Sequence, residues 1–279
     1  MKDFEITEKT IDVERIIKSK FKHIPRFVFR YIKKILHEDD LNDGLYNMRE
    51  YHGIDFATKT IEWLGCNVVI SHAERIPYSG RCLLASNHPL GGLDGLAIIS
   101  EIGKIRKDIL FPVNDFLLAL PNLRSIFIPI NKVGNNTQNH ETLQNAFLSD
   151  NMLLYFPAGL VSRKLSRKVI ADLTWKKTFI TQARQNERDI IPVFVNGQNS
   201  RFFYNFASWR KRLGIKANIE MAYLVDEMYK QRGKTITLVI GKPIPYSTFD
   251  KRYRDIEWAA KVREHVYKLK NDPNVVFEA

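Results

Sequence analysis

A histidine and an aspartate stand six residues apart in the stretch ASNHPLGGLDGLAIIS, which runs from residue 85 to residue 100. The rest of the stretch is typical of a buried strand that ends and an apolar helix that begins. A carboxylate that accepts a hydrogen bond from one imidazole nitrogen fixes the tautomer and leaves the other nitrogen able to take a proton. His88 and Asp94 are therefore a candidate general base and its orienting partner.

The residues between His88 and Asp94 decide whether the two side chains can meet. On an ideal helix, a separation of six residues would turn them to different faces. Pro89, Gly91 and Gly92 remove that objection, because they stop the strand and permit a tight turn. The alternative is structural, with Asp94 as the N-cap of the following helix and His88 as an ordinary loop histidine. The residues alone leave both interpretations open.

Other catalytic motifs are absent from the sequence. It contains no G-x-S-x-G nucleophile elbow, no G-x-x-x-x-G-K-[ST] phosphate loop and no H-E-x-x-H zinc motif. The segment GLDGL lacks the third glycine of a dinucleotide-binding fingerprint. If His88 is a base, it takes its proton directly from a substrate hydroxyl or amine, with no enzyme nucleophile between them.

Two further segments end a predicted strand beside a cation. In LLYFPAGLVSR the strand ends at Pro157 and Gly159 and is followed by Ser162 and Arg163. Exposed backbone N–H groups beside a serine and an arginine can cradle an anion. In SIFIPINK the strand leads into Lys132. Each signal alone is weak, since a basic residue in a loop after a strand is common.

The elements that must position these loops alternate along the chain from Asn67 onward. Short apolar runs predict strands over residues 67–70, 82–86, 109–113, 126–130, 152–156, 190–195 and 235–240. Helical patterns lie at residues 95–104, 114–119, 137–148, 173–186, 202–213, 218–231 and 247–270. This alternation predicts an α/β fold with a mostly parallel central sheet flanked by helices. In such folds the functional residues collect at strand ends.

Residues 1–65 are predicted to form a helical segment, and residues 66–279 the α/β domain. Between Ile17 and Ile35 apolar residues recur at spacings of three and four, separated by Lys18, Lys20, Lys22, Arg26, Arg30, Lys33 and Lys34. Such an amphipathic cationic segment can lie in a membrane interface or pack on the domain with a solvated basic face. If it binds lipid, we expect association with anionic vesicles to depend on residues 18–36.

The chain carries a formal net charge of +12, from 43 Lys and Arg against 31 Asp and Glu. This excess favours nucleic acid, anionic lipid or an acidic protein as a partner. No nucleic-acid-binding signature accompanies the charge, which argues against nucleic acid. The sequence has no apolar run of 18 residues, and its polar, acidic start argues against a signal peptide. Cys66 and Cys82 lack a C-x-x-C spacing, which fits a cytoplasmic protein without a disulfide framework or zinc site.

Taken in order, these blocks resemble the glycerolipid (lysophosphatidic acid type) acyltransferase superfamily. The order is N-H followed closely by D, a strand ending in a cation, F-P-x-G-x-x-S, I-P-V and the late segment GKPIPYSTF. The resemblance covers residues 67–249 and implies an α/β domain with an N-terminal helical, membrane-binding element. Five residues separate His88 from Asp94 where the family has four, and Ala158, Leu160 and Val161 replace the usual Glu and Thr-Arg pair. These departures resemble the hemolysin-related branch of bacterial aminolipid synthesis.

The resemblance implies an O-acyltransferase that needs no metal or organic cofactor. Its donor would be acyl carrier protein or acyl-CoA, and its acceptor the hydroxyl of a lyso-lipid at the cytoplasmic face of the inner membrane, where the enzyme would be peripheral. His88 would be the base and Asp94 its partner, with substrate contacts at Asn87, Lys132, Pro157, Gly159, Ser162 and Arg163. The more apolar F-P-A-G-L-V block leads us to expect a carboxylate-bearing lyso-aminolipid, paired with Arg163, rather than lysophosphatidic acid. A non-catalytic lipid-binding protein is the alternative class.

Overall fold

The computed structural model describes residues 6–7, 9–15, 25–113, 117–130 and 136–279. Its centre is a sheet of seven strands, which are β1 (Asn67–Ser71), β2 (Cys82–Ser86), β3 (Ile109–Val113), β4 (Phe127–Pro129), β5 (Met152–Tyr155), β8 (Asp189–Asn196) and β9 (Thr235–Ile240). A small antiparallel hairpin of β6 (Arg163–Lys164) and β7 (Ile170–Ala171) lies outside this sheet.

The strand order is β1-β9-β8-β2-β5-β3-β4. The five strands from β8 to β4 are parallel to one another, whereas β9 is antiparallel to β8 and parallel to β1. Strands β2 and β5 are neighbours near the middle of the sheet, so the loops that follow them begin side by side at its carboxyl edge. The predicted fold class, α/β with a mostly parallel sheet, is confirmed.

Helices cover both faces of the sheet. They are α1 (Arg26–Ile35), α2 (Glu38–Asn47), α3 (Gly53–Trp63), α4 (Gly92–Ile102), α5 (Asn136–Leu148), α6 (Thr178–Gln185), α7 (Arg201–Arg212), α8 (Leu224–Tyr229) and α9 (Asp255–Lys268). Among the described residues, none of these helices has the length and apolar character to cross a membrane.

Alternation along the strands divides the core into two layers, because successive side chains of a strand point to opposite faces. Leu84 of β2 lies in one layer with Ala57 of α3 and Ile98 of α4. Its neighbour Leu83 lies in the other layer with Phe179 of α6 and with helix α9. Strand β2 is buried on both faces, as expected for a central parallel strand.

The helices observed before residue 66 differ in how far they are buried. Helix α3 packs on α4 and contributes side chains to the main core. Helix α1 begins directly after Pro25 and has no buried side chain. Residues 16–24, which carry Lys18, Lys20 and Lys22, lie outside the described residues.

Four predicted helices differ markedly in extent from those observed. The helix expected over residues 173–186 begins at Thr178, and in the segment 114–119 the described residues form a 3₁₀ turn (Leu117–Ala119). The helix expected over residues 247–270 begins only at Asp255, because Arg254 is extended and its N–H donates to the carboxylate of Glu257 at 2.8 Å. The helix expected over residues 218–231 is a 3₁₀ turn (Ile219–Tyr223) followed by the short helix α8.

Candidate active site

His88 lies two residues beyond β2, at the carboxyl edge of the sheet. The side chain of Asn87 fixes the end of the strand, since its amide donates to the carbonyl of Val195 at 2.9 Å and accepts from the N–H of Val195 at 2.7 Å. Both polar groups of Asn87 are thus used by strand β8. This bonding ties the His88 loop to the sheet, and the expectation that Asn87 also contacts substrate stays a prediction.

His88 and Asp94 are in direct contact, with 2.9 Å between Nδ1 of the imidazole and Oδ2 of the carboxylate. The turn through Gly91, at φ +81°, brings them together, and a side chain at position 91 would be strained there and would press on Leu224. Asp94 is not the N-cap considered as its alternative role. It is the third residue of α4, and its carboxylate reaches back to the N–H groups of Leu90 and Gly91 at 2.8 and 3.1 Å.

This bonding assigns the tautomer of His88. Oδ2 of Asp94 already accepts from two backbone N–H groups, so it acts as an acceptor toward the imidazole as well. The proton of the neutral ring therefore lies on Nδ1, and Nε2 carries the lone pair. Within the described part of the chain, Nε2 has no hydrogen-bond partner. The geometry leaves a basic nitrogen available to a substrate.

The two members of the pair differ in exposure. The side chain of Asp94 is fully buried, whereas that of His88 is 18% exposed and stacks on Phe156 with 4.2 Å between ring centroids. Burial raises the pKa of the Asp94 carboxyl, against the opposing effects of the hydrogen bond and charge of His88 and of the Leu90 N–H. A buried carboxylate is well placed to stabilise an imidazolium that forms beside it, because the surrounding dielectric is low.

A second buried carboxylate, which was not predicted from sequence, holds the backbone of His88. Oδ1 of Asp172 accepts from the N–H of His88 at 3.2 Å and from the hydroxyl of Ser162 at 2.6 Å, while Oδ2 accepts from Nε1 of Trp175 at 2.9 Å. Asp172 directly follows the two-residue strand β7, and no recognisable motif surrounds it.

Ser162 is also part of this support. Its N–H donates to the carbonyl of His88 at 2.8 Å, and its hydroxyl donates to Asp172. Both polar groups of the histidine backbone are therefore bonded to the segment that follows β5. The side chain of Ser162 is buried and already bonded, and the expected contact with substrate stays a prediction.

Arg163, whose side chain was expected to pair with a ligand, has partners within the protein. Its guanidinium is buried and lies 2.9 Å from Oε1 of Glu220, where Arg210 also pairs with the same carboxylate. It further donates to the carbonyl of Val161 and lies over the ring of Phe203. Burial lowers the pKa of Arg163, although the charge of Glu220 opposes this. Arg163 anchors the hairpin to α7.

We expect Arg163→Ala to act on folding rather than on substrate affinity. Breaking a buried ion pair lowers the free energy of unfolding by about 3–5 kcal/mol. Because Arg210 still pairs with Glu220 in the variant, we expect a loss near the lower end of that range. Denaturant unfolding measures the loss. Arg167→Ala, in the exposed turn of the hairpin, is the matched control and should change little. A fully stable Arg163 variant with a raised acceptor KM would restore the ligand-binding role.

The F-P-A-G segment forms a loop beside His88. Gly159 has φ +65° and is exposed, and a Cβ at this position would lie 3.1 Å from Nζ of Lys176. The N–H of Lys176 donates to the carbonyl of Pro157 at 3.1 Å. The missing side chain of Gly159 thus leaves room for the ammonium of Lys176, which was not predicted from sequence. Within the described ranges, that ammonium has no carboxylate or hydrogen-bond partner.

Lys132, which was expected to contact substrate, lies outside the described residues. Backbone N–H groups of a Gly-rich turn beside a catalytic base can hold an oxyanion, but the N–H groups of Leu90 and Gly91 already bond Asp94. Those two groups are therefore not available to a developing oxyanion.

Comparison with known proteins places the chain in a family. The family model described as Acyltransferase matches residues 13–275. The protein therefore belongs to this acyltransferase family and is an enzyme.

Two curated relatives are named Lyso-glycine lipid O-acyltransferase. The one from Phocaeicola vulgatus is 46% identical over 265 residues, which are 93% of this chain and 95% of the relative. The one from Bacteroides thetaiotaomicron is 44% identical over 265 residues, or 93% and 97% of the two chains. A crystal structure of the 1-acyl-sn-glycerophosphate (LPA) acyltransferase PlsC from Thermotoga maritima matches 92% of this chain and 87% of its own, at 18% identity and a TM-score of 0.49.

Proposed function

We propose that the protein acylates the hydroxyl of a lyso-glycine lipid, an N-(3-hydroxyacyl)glycine with one free carboxylate, in bacterial membrane lipid synthesis. The observation that carries the proposal is the contact between His88 and Asp94 at the carboxyl edge of the sheet. Support for the acceptor comes from the two relatives of that name, each matched over more than nine-tenths of its length.

The proposed mechanism is direct transfer with His88 as general base. Nε2 takes the proton of the acceptor hydroxyl as its oxygen attacks the thioester carbonyl of the donor. The C–O bond forms, the C–S bond breaks, and the proton passes from the imidazolium to the departing thiolate. Asp94 holds the ring through Nδ1 and offsets its positive charge in the transition state.

Acyl carrier protein is the donor we favour, with acyl-CoA as the alternative. An acidic carrier suits a chain of net charge +12, since complementary charge speeds encounter. We also propose that the enzyme is peripheral at the cytoplasmic face of the inner membrane, where its lipid acceptor resides. Helix α1, whose side chains are all at least partly exposed, supports the expected docking through residues 18–36.

Lys176 is the residue that we assign to the acceptor carboxylate in place of Arg163. Its ammonium lies over Gly159, in the loop whose Phe156 stacks on His88. The neighbouring Trp175 bonds Asp172, which in turn bonds the N–H of His88. The residue next to Lys176 is therefore linked to the backbone of His88 by the hydrogen bonds of Asp172.

We expect Lys176→Ala to raise the acceptor KM about 10- to 100-fold with little change in kcat, because hydrogen bonds to charged groups contribute about 1.5–3 kcal/mol. Steady-state kinetics with the acceptor and its methyl ester measure this. The ester lacks the carboxylate, so wild type and variant should use it equally poorly. Lys177→Ala, the exposed neighbour, is the matched control. Equal KM values for the acid in wild type and the Lys176 variant would exclude this role.

The function itself is tested with purified protein, an N-(3-hydroxyacyl)glycine and either palmitoyl-acyl carrier protein or palmitoyl-CoA. Mass spectrometry should detect the O-acylated lipid, and a thiol-reactive dye should report an equal amount of released thiol. Lysophosphatidic acid is the competing acceptor. A preference for it of tenfold or more, about 1.4 kcal/mol in transition-state terms, would assign the enzyme to phospholipid synthesis instead.

A further inference from the structure

Helix α7 carries an apolar stripe on the side that does not pack on the domain. Phe202, Phe206, Trp209 and Leu213 follow one another at spacings of four, three and four residues, which places them on one face of a helix. Phe202 is 49% exposed, Trp209 58% and Leu213 56%. The packing face is a different one, formed by Phe203, Tyr204 and Ala207, all of them buried.

The stripe continues from α7 to α1. Phe202 and Phe206 stack on each other, and both meet the ring of Tyr223 edge-on at 5.1 and 5.5 Å between centroids. The hydroxyl of Tyr223 lies 2.5 Å from that of Tyr31 on α1. We call this area the aromatic surface, and its exposed members are Phe27, Tyr31, Phe202, Trp209, Leu213, Ile215 and Ile219.

The segments that form the aromatic surface are rich in cations. Residues 201–219 contain five Lys and Arg and no Asp or Glu. Arg210 pairs with Glu220, and in the described part of the chain the other four have no carboxylate partner; they are Arg201, Lys211, Arg212 and Lys216. Helix α1 adds Arg26, Arg30 and Lys34. Lys and Arg side chains near an anionic bilayer strengthen binding to it.

The aromatic surface lies at the end of the sheet that holds His88. Helix α7 follows the carboxyl end of β8, and Phe203 on its packing face shares a small core with Val161 of the F-P-A-G-L-V segment. Lys164 of the hairpin also donates to Asn205 of α7 at 3.0 Å. A lipid that leaves a bilayer in contact with this surface would have a short path to the histidine.

We propose that the aromatic surface binds an anionic lipid bilayer directly, with Trp209, Phe202 and Leu213 in the interfacial layer and the neighbouring cations on lipid phosphates. Aromatic rings with a polar edge and long cationic side chains are the groups enriched at that layer. A second copy of the chain is a poor occupant, because the four cations named in residues 201–219 would lie against those of the other copy without a carboxylate between them. The inference rests on the proposed function only in that the acceptor is a membrane lipid.

Vesicle flotation tests the inference with the full chain. The variant Phe202→Ser/Trp209→Ser/Leu213→Ser should bind vesicles of phosphatidylcholine and phosphatidylglycerol at least tenfold more weakly than wild type. Trp209 and Leu213 are more than half exposed, and Phe202 loses chiefly its contacts with Phe206 and Tyr223, so the variant should stay folded, which its thermal midpoint checks. The control Tyr78→Ser/Val276→Ser also removes exposed apolar groups, and Tyr78, 85% exposed, precedes β2 at the opposite edge of the sheet. Equal vesicle binding by wild type and the triple variant would overturn the proposal.

A second measurement locates the contact on Trp209. Of the four tryptophans, Trp175 and Trp258 are buried and Trp63 is half-buried against Tyr229 and Arg232, so brominated lipid should quench mainly the fluorescence of Trp209. Trp209→Phe should still bind vesicles but lose most of the quenching. Equal quenching in Trp209→Phe and wild type would contradict the assignment of the contact to Trp209. Sedimentation that shows a dimer formed through α7, together with no binding to vesicles, would contradict the proposal as well.

Acylation assays with two forms of the acceptor distinguish the role of the aromatic surface from the proposed function. A short-chain acceptor in free solution should be acylated equally by wild type and the triple variant, whereas acceptor embedded in vesicles should be used at least tenfold more slowly by the variant. Equal loss with both forms of the acceptor would contradict a role in membrane contact. If wild type acylates neither form, the proposed function fails, while the vesicle-binding result still judges the surface.

Discussion

Replacement of His88 by alanine is expected to reduce kcat about 10²–10⁴-fold, the usual contribution of a positioned general base. The physical reason is the loss of Nε2, the basic nitrogen that the bond from Nδ1 to Asp94 leaves unprotonated. Turnover of wild type and variant is compared by mass spectrometry of the O-acylated product at saturating acceptor and donor.

The fold should survive this change. The His88 side chain is partly exposed, and the loop is held through backbone bonds to Asp172 and Ser162 that alanine keeps. Near-ultraviolet circular dichroism and the thermal midpoint check this point. His52→Ala, an exposed histidine that starts α3 without a side-chain cap, is the matched control. A folded His88 variant with near-normal turnover would remove the histidine from the mechanism.

The sheet was largely predictable from local sequence. The strands Cys82–Ser86, Ile109–Val113 and Thr235–Ile240 have the predicted bounds, because each is a short apolar run between polar or turn-forming residues. The hairpin of β6 and β7 was not predicted. Two-residue strands are too short to show an alternating pattern, and their pairing depends on contacts with α7.

The candidate site was predictable only where its partners are close in sequence. The contact of His88 with Asp94 spans six residues and a Pro-Gly-Gly turn whose composition allows it. The ion pair of Arg163 was not predictable because its partner, Glu220, lies 57 residues further along the chain. The bonding of Asn87 was not predictable for the same reason, since its partner Val195 is 108 residues away. A polar side chain in a strand-end loop looks the same in sequence whether tertiary structure uses it or leaves it available.

The carboxylate of Asp94 has two effects that an amide cannot reproduce together. It accepts three donors at Oδ2, and it supplies the negative charge beside His88. In Asp94→Asn an amide oxygen at that position still accepts the three hydrogen bonds, but the negative charge is lost. An NH₂ group there would oppose the N–H groups and force the imidazole to accept at Nδ1, which would place the proton on Nε2. Either orientation weakens the base.

Asp94→Asn is therefore expected to lower kcat about 10²–10⁴-fold, the range for loss of general-base help, while folding changes little because asparagine accepts backbone N–H groups almost as well. Asp55→Asn is the matched control, since Asp55 is the third residue of α3 as Asp94 is of α4. The rate of acyl transfer in a single turnover and the thermal unfolding midpoint are measured for both variants. If both retain wild-type activity, Asp94 acts on the start of the helix alone; if only Asp94→Asn is inactive and both unfold like wild type, its carboxylate acts through His88.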